Sequence, residues 1–190
     1  MLIKAAVTHT TGSQFVIEDV ELDGPKDDEV LVKIVSCGVC HTDAVSRDQL
    51  IPIPLPAVLG HEGAGVVEAV GKSVKGIKPG DHVVLSFSSC GRCRNCLTGK
   101  PYVCDDFNAL NFGGILNDGT KRLSQGGKEI STFFGQSSFA TYATVNQRNA
   151  VVVDKDVDLE IVGPLGCGFQ TGAGTVLNGQ IGRASCRERV

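Results

Sequence analysis

This sequence has fewer charged residues than a disordered chain would have. They make up 21% of its 190 residues, against 42% hydrophobic residues, which excludes disorder as the default. The charges nearly cancel, at 18 Lys and Arg against 21 Asp and Glu, so a polyanion has no electrostatic reason to bind. A run of about 18 apolar residues that could span a bilayer is also missing. We therefore expect a soluble protein whose partner is neither nucleic acid nor a membrane.

The amino terminus lacks the apolar segment of a secretory signal, since residues 1–7 hold one lysine and only a few apolar residues. This predicts a cytoplasmic protein, in which thiols stay reduced. The eight cysteines are therefore expected to be metal ligands or reactive groups more readily than disulfides.

Short apolar runs separated by Gly and Pro turns predict a mostly β fold, a barrel or sandwich. In residues 30–35, Val30, Val32 and Ile34 share one face, which predicts a strand with one buried side. Similar runs predict strands at 15–20, 65–70, 82–87, 139–145 and 150–153. Residues 90–104 and 105–135 lack this rhythm and are predicted to be long loops.

Four cysteines cluster within residues 90–104, namely Cys90, Cys93, Cys96 and Cys104. Zinc prefers tetrahedral thiolate coordination, and two-residue gaps let neighbouring sulfurs converge on one ion. We predict a closed, structural zinc site in this lobe. Two disulfides or an iron–sulfur cluster are the alternatives, and both the spacing and the compartment favour zinc.

A second set of candidate ligands is scattered along the chain. Cys40 and His61 are predicted to lie in loops at strand ends, and Cys167 lies in a glycine-rich stretch. Two thiolates and one imidazole are the ligand set of an open catalytic zinc, whose fourth position holds water or substrate. A lone cysteine is more often a small buried hydrophobe, which is the interpretation we prefer for Cys37.

The order and spacing of these motifs resemble the catalytic domain of zinc-dependent medium-chain alcohol dehydrogenases. The resemblance covers nearly all of residues 1–178 and rests on Cys40-His41-Thr42-Asp43, Gly60-His61-Glu62-Gly63-Ala64-Gly65, the four-cysteine lobe and Gly166-Cys167-Gly168-Phe169-Gln170-Thr171-Gly172. Arg47-Asp48-Gln49 with the prolines at 52, 54 and 56 is similar to the aryl- and benzyl-alcohol branch. The resemblance implies a GroES-like, partly open barrel with short helices, which in the family precedes a Rossmann cofactor domain.

The resemblance also implies two zinc ions per chain. Cys40, His61 and Cys167 would bind the catalytic ion, and Cys90, Cys93, Cys96 and Cys104 the structural one. Thr42 corresponds to the hydroxyl that takes the alcohol proton, Asp43 to the carboxylate that orients His61, and Glu62 to a residue that tunes the metal.

Two further residues would contact the cofactor in this resemblance, His41 at the pyrophosphate and Thr171 at the nicotinamide ring. Val45 occupies the position where well-known members have the histidine that completes the proton relay. We therefore expect a different exit route for the proton, through His41 or bound water.

The implied activity is the NAD-dependent oxidation of primary alcohols, aromatic ones favoured, to aldehydes, in a full-length enzyme that forms a homo-oligomer. The alternatives are a glutathione-dependent formaldehyde dehydrogenase and a non-catalytic zinc-binding module that uses the lobe alone. Residues 179–190 match nothing in the family, and we expect them to be a truncation or assembly artefact. A fragment without the cofactor domain is expected to be inactive by itself.

Overall fold

The computed structural model describes residues 1–179, so the segment 180–190 lies outside the described residues. The strands are β1 Leu2–Thr8, β2 Val16–Leu22, β3 Glu29–Cys37, β4 Ala57–Val58, β5 Gly63–Val70, β6 His82–Leu85, β7 Leu123–Gln125, β8 Lys128–Ile130, β9 Tyr142–Asn146 and β10 Ala150–Val153. The α-helices are α1 His41–Arg47, α2 Arg94–Leu97, α3 Phe107–Phe112 and α4 Gly168–Gly179, with 3₁₀ helices at Pro101–Val103, Gln147–Asn149 and Gly163–Gly166. Within residues 1–179, no helix is long and apolar enough to cross a bilayer.

The strands form two antiparallel sheets of five strands each, in the orders β4-β1-β2-β7-β8 and β10-β6-β5-β3-β9. Thr141 connects the two sheets through its main chain. Its N–H donates to the Lys4 carbonyl at 2.9 Å, and its own carbonyl accepts from the Ile34 N–H at 3.0 Å. The sheets thereby form a nearly closed barrel, which confirms the predicted mostly β fold with short helices.

Strand β3 is buried on both faces where it begins. Val30 and Val32 are fully buried in one hydrophobic cluster, while Leu31 points into the cluster formed mainly by β1 and β2. The predicted buried face is therefore confirmed at Val30 and Val32, and Ile34 is half-buried. The burial of Leu31 was not predicted, because alternation alone does not reveal that a second sheet covers the other face. Each such side chain contributes about 1.5–3 kcal/mol by leaving water.

The prediction of a long loop at residues 105–135 was wrong. This stretch contains α3, β7 and β8. Asn111 on α3 anchors it, since its side-chain carbonyl accepts from the Ser88 N–H at 2.8 Å and its amide donates to the Ser88 carbonyl at 3.0 Å. Such long-range side-chain bonds leave no periodic pattern in the sequence.

The loop predicted after β3 is also shorter than expected, because α1 begins at His41, the residue next to Cys40. Strand β1 was not predicted, although Ile3, Ala5 and Val7 alternate and are buried. Helix α1 thus holds the Cys40-His41-Thr42-Asp43 motif just after the end of β3.

A buried ion network fixes the start of β3. The Arg122 guanidinium donates to both Glu29 carboxylate oxygens, at 2.6 and 3.0 Å, and to Asp118 at 2.8 Å. Lys26 lies 2.7 Å from Asp118. Burial opposes the ionisation of Asp118, but the hydrogen bonds from Lys26 and Arg122 outweigh it and hold the pKa of Asp118 well below its usual value.

Arg122→Met is expected to lower the free energy of unfolding by about 3–5 kcal/mol at neutral pH, because it leaves the Glu29 carboxylate buried without its partner. Since the folded pKa of Asp118 lies below its unfolded value of about 3.9, its contribution is complete above that pH and is lost as the pH falls through the folded value. Arg122→Met should therefore also flatten the acid side of the stability profile.

Urea unfolding of the chain at neutral and acidic pH measures both effects. Arg47→Met is the matched control, because Arg47 forms a partly exposed pair with its neighbour Asp48 and should matter far less. An Arg122→Met chain as stable as the wild type would contradict the role given to this network.

Candidate functional site

Two groups of side chains are arranged so that each could hold a metal ion. In each group the donor atoms all lie within 4.8 Å of one another. One group is Cys90, Cys93, Cys96 and Cys104, and the other is Cys40, His61, Glu62 and Cys167. The fold therefore brings together three predicted residues that are far apart in the chain, and it adds Glu62 to them.

Cys40 is held at the start of α1, where it is the N-cap residue. The Thr42 N–H donates to the Cys40 sulfur at 3.5 Å, and the Cys40 N–H donates to Asp43 Oδ2 at 3.0 Å, which forms a capping box. Burial opposes the thiolate, but the hydrogen bonds from Thr42 and the electrostatic attraction of the nearby His61 outweigh it and lower the pKa of Cys40. The thiolate is the form that binds metals.

His61 is buried, with 1% of its surface exposed, and its position depends on the glycine before it. Gly60 has φ +87°, and any Cβ there would collide with the main chain and ring of Phe139. His61 Nδ1 lies 3.1 Å from Asp43 Oδ1, which also accepts the Gly60 N–H at 3.0 Å. Asp43 thus connects the Cys40 loop with the His61 loop.

The other ring nitrogen, His61 Nε2, is buried and has no hydrogen-bond partner among residues 1–179. Such an unpaired atom costs about 1–3 kcal/mol, and a bond to a metal would remove that cost. Burial disfavours charge on this ring, but Asp43 and Cys167 outweigh it and raise the pKa of His61 to about 10. Asp43 and Cys167 thus favour a positive charge beside the His61 ring. The donor set of two thiols and one imidazole fits zinc.

Cys167 lies between the 3₁₀ helix at Gly163–Gly166 and α4. Gly166 packs so closely on the Leu85 carbonyl that no side chain would fit there. Glu62 is buried, and its Oε1 accepts the Gly168 N–H at 3.1 Å. Glu62 therefore binds the start of α4 in addition to lying among the candidate ligands.

A cavity of about 800 Å³ opens beside this group. Phe134 stacks on the His61 ring with centroids 4.5 Å apart, and Phe87, Phe107 and Tyr102 line the same cavity. The sequence pattern did not predict that Phe134 and Tyr102 line the cavity. The only available signal for Tyr102 was its place inside the four-cysteine lobe, which reaches over to the cavity.

The other predicted site residues lie in different surroundings. The Thr42 hydroxyl is 3.5 Å from the Cys40 sulfur, and Thr171 lines the cavity on α4. His41 is exposed at the first position of α1, and Val45 is half-buried on the same helix. The fold thus brings Thr42 and Thr171 near the candidate ligands and leaves His41 at the surface.

The four-cysteine lobe turns main-chain N–H groups toward its sulfurs. The N–H groups of Cys90, Cys93 and Cys96 donate to the sulfurs of Cys104, Cys90 and Cys93 at 3.3, 3.3 and 3.4 Å. Such bonds, chiefly from the N–H groups of Asp105 and Cys96, lower the pKa of Cys93 to about 7. The Cys90 and Cys96 sulfurs are 3.9 Å apart, close to the separation of about 3.8 Å in a tetrahedral zinc–thiolate site.

The seven cysteines of residues 1–179 are all free, which argues against the disulfide alternative. Cys37 belongs to neither group. Its half-buried thiol donates to the Gly38 carbonyl at 3.3 Å, and burial raises its pKa to about 12. Cys37 was predicted to be a small buried hydrophobe, and the structure places it outside both metal groups but only half-buried.

Comparison with known proteins gives consistent matches. The family model for the alcohol dehydrogenase GroES-like domain matches residues 26–155. A geraniol dehydrogenase from Castellaniella defragrans is 54% identical over 177 residues, which cover 92% of this chain and 47% of that protein. The chain thus spans about half the length of the curated relatives it matches.

Two solved structures are similar over almost the whole chain. An alcohol dehydrogenase zinc-binding domain protein from Burkholderia ambifaria is 52% identical, with a TM-score of 0.91 over 94% of this chain and 49% of its own. Benzyl alcohol dehydrogenase from Acinetobacter calcoaceticus is 50% identical, with a TM-score of 0.89 over 94% of this chain and 48% of its own.

Proposed function

This chain belongs to the alcohol dehydrogenase GroES-like domain family, and from that premise we propose that residues 1–178 are the catalytic domain of a zinc-dependent dehydrogenase. The whole enzyme would oxidise primary alcohols, aromatic ones included, to aldehydes with NAD. The convergence of Cys40, His61 and Cys167 beside an apolar cavity carries this proposal, because these residues offer an open zinc site next to room for a substrate.

Each metal group has a separate role in this proposal. Cys40, His61 and Cys167 would hold the catalytic zinc, and the four cysteines of residues 90–104 the structural one. Zinc bound at the first group would supply a Lewis acid that polarises the alcohol oxygen and eases the loss of its proton.

Residues of the chain would then move that proton and orient the ligands. The Thr42 hydroxyl, 3.5 Å from the Cys40 sulfur, would accept the alcohol proton while passing its own onward to His41 or bound water. Asp43 would hold the His61 ring through Nδ1 and so keep Nε2 available for the metal. Glu62 would tune the metal from its buried position in the same group.

The cavity supports an apolar alcohol as the substrate. The rings of Phe87, Phe107 and Phe134 keep water away from the reacting carbon and offer flat surfaces to an aromatic alcohol. Thr171, which also lines the cavity, would contact the nicotinamide ring, and the exposed His41 would contact the pyrophosphate. The two relatives that act on benzyl alcohol and geraniol support this class of substrate.

Metal analysis of the purified chain tests the proposal. We expect two zinc ions per chain, since each group has a complete donor set. A single ion per chain, bound by the four cysteines, would instead support the non-catalytic zinc-binding module. A full-length protein that carries this chain should also oxidise benzyl alcohol more efficiently than the glutathione adduct of formaldehyde, and the reverse preference would support the formaldehyde dehydrogenase.

Asp43→Asn is expected to weaken zinc binding at the Cys40 group by about 10- to 100-fold. The reason is that the Asp43 carboxylate forms hydrogen bonds with the Cys40 and Gly60 main-chain nitrogens and with His61 Nδ1. Competition with a coloured chelator measures the affinity, and the four-cysteine group provides an internal reference. Asp81→Asn is the matched control, since Asp81 is a buried carboxylate that binds only a turn at Lys78. Equal affinities in Asp43→Asn and the wild type would contradict this role.

A further inference from the structure

We propose that Gln136 is a positioning residue that connects the loop of His61 to the loop of Cys167. The inference rests on the proposed function in one respect, that these two residues bind the catalytic metal. Gln136 is 1% exposed and lies in the segment that leads into β9. It would act through the main chain of the two loops and would not itself bind the metal.

The nitrogen and the oxygen of the Gln136 side-chain amide each form two hydrogen bonds. Its Nε2 donates to the His61 carbonyl at 3.0 Å and to the Ser86 carbonyl at 3.2 Å. Its Oε1 accepts the Gly63 N–H at 3.2 Å and the Ser138 hydroxyl at 2.7 Å. The two carbonyls need a donor, which the amide nitrogen supplies, and the N–H and hydroxyl groups need an acceptor, which the amide oxygen supplies. Only a neutral side-chain amide of this length can form all four hydrogen bonds. One side chain thereby fixes the main chain on both sides of Glu62.

Ser86 continues the connection toward Cys167. Its hydroxyl donates to the Gly166 carbonyl at 2.9 Å, and that carbonyl belongs to the peptide that leads into Cys167. The close packing of Gly166 on Leu85 holds this peptide against the end of β6. Hydrogen bonds therefore run from the His61 carbonyl through Gln136 and Ser86 to the residue before Cys167.

This connection complements the one that Asp43 provides. Asp43 joins the Cys40 loop to the His61 loop through the imidazole Nδ1, whereas Gln136 joins the His61 loop to the Cys167 loop through main-chain carbonyls. Metal–ligand distances tolerate displacements of only about 0.2 Å, so ligands from three separate loops need such support. The bonds from Gln136 to His61 and Gly63 are buried, so water does not easily replace them, whereas the two bonds at Ser86 are partly buried.

Cobalt(II) binding to the full chain tests the inference, because the visible absorption of cobalt reports the geometry of each site separately. Gln136→Met is expected to weaken cobalt binding at the Cys40 group by about 10- to 100-fold and to shift its absorption bands. The bands and the affinity of the four-cysteine group should stay unchanged. A generally destabilised chain would alter both groups alike.

Three more variants sharpen the test. Gln136→Glu retains the length but sets a carboxylate oxygen against the His61 and Ser86 carbonyls, so it should also weaken the Cys40 group. Ser86→Ala removes the hydroxyl's bonds to the Gly166 carbonyl and to the exposed Gln170 side chain, but it keeps the carbonyl that Gln136 binds, so it should give a smaller loss. Ser138→Ala is the matched control, because it removes the hydroxyl's bond to Gln136 but keeps the main-chain bond of Ser138 to the Gly60 carbonyl, and it should bind cobalt as the wild type does.

The possible failures are distinguishable. Wild-type affinity and spectra in Gln136→Met and Ser86→Ala would overturn the role of Gln136 while the proposed function stands. A wild-type chain that binds cobalt only at the four cysteines would refute the proposed function itself. If Gln136→Met does not fold, which the loss of the four-cysteine bands would reveal, Ser86→Ala and Gln136→Glu decide by the same criterion.

Discussion

His61→Ala is expected to remove one of the two zinc ions and to lower kcat/KM of the full-length enzyme by about 1,000-fold or more. The substitution deletes the single imidazole donor of the Cys40 group and leaves the Asp43 carboxylate without one of its three partners. A metal that acts as a Lewis acid is worth several kcal/mol to the transition state, and each 1.36 kcal/mol corresponds to about a tenfold change in rate.

Zinc content and steady-state kinetics with benzyl alcohol measure these effects. His9→Ala is the matched control, because His9 is partly exposed, pairs with Glu18 at 3.0 Å and belongs to neither metal group. It should retain both ions and full activity. If His61→Ala also retained both ions, His61 could not be a metal ligand.

Cys93→Ser is expected to release zinc from the four-cysteine lobe and to unfold that lobe locally. Helix α2 contains no buried residue, and Leu97 on it is 73% exposed, so apolar packing contributes little there. Structural zinc supplies about 10–16 kcal/mol of apparent binding free energy in zinc-finger peptides, which makes the metal the main stabilising element of such a lobe.

Limited trypsin digestion reports this unfolding directly, since the cleavage sites at Arg92 and Arg94 lie in the lobe. We expect rapid cleavage there in Cys93→Ser and slow cleavage in the zinc-loaded wild type. Because Tyr102 extends from the lobe to the cavity wall, KM for the alcohol should also rise. Cys37→Ser is the matched control, as its thiol belongs to neither group, and rapid cleavage in both variants alike would contradict the account.

The fold could be predicted where local pattern and packing agree. The alternation of Val30 and Val32 predicted β3, and the glycine and proline turns predicted a mostly β fold, a barrel or sandwich. Helix α3 and strands β7 and β8 were missed, because they are short and depend on distant hydrogen bonds such as those between Asn111 and Ser88.

The candidate site divides in the same way. Spacing alone predicted the four-cysteine group, whereas Cys40, His61 and Cys167 were predicted as a set from their residue types together with the family resemblance, and in both groups the donor atoms lie close together. Gln136 carries no such signal, because its carbonyl partners at His61 and Ser86 lie 75 and 50 residues away in sequence. These contacts form only in the folded barrel, where distant segments of the chain meet.

Anomalous scattering at the zinc absorption edge, from crystals of the zinc-loaded chain, tests the central claim most directly. We expect two peaks, one within the four-cysteine lobe and one bonded to the Cys40 sulfur, His61 Nε2 and the Cys167 sulfur. A map with a peak in the lobe and none between those three side chains would contradict the assignment of a catalytic zinc site.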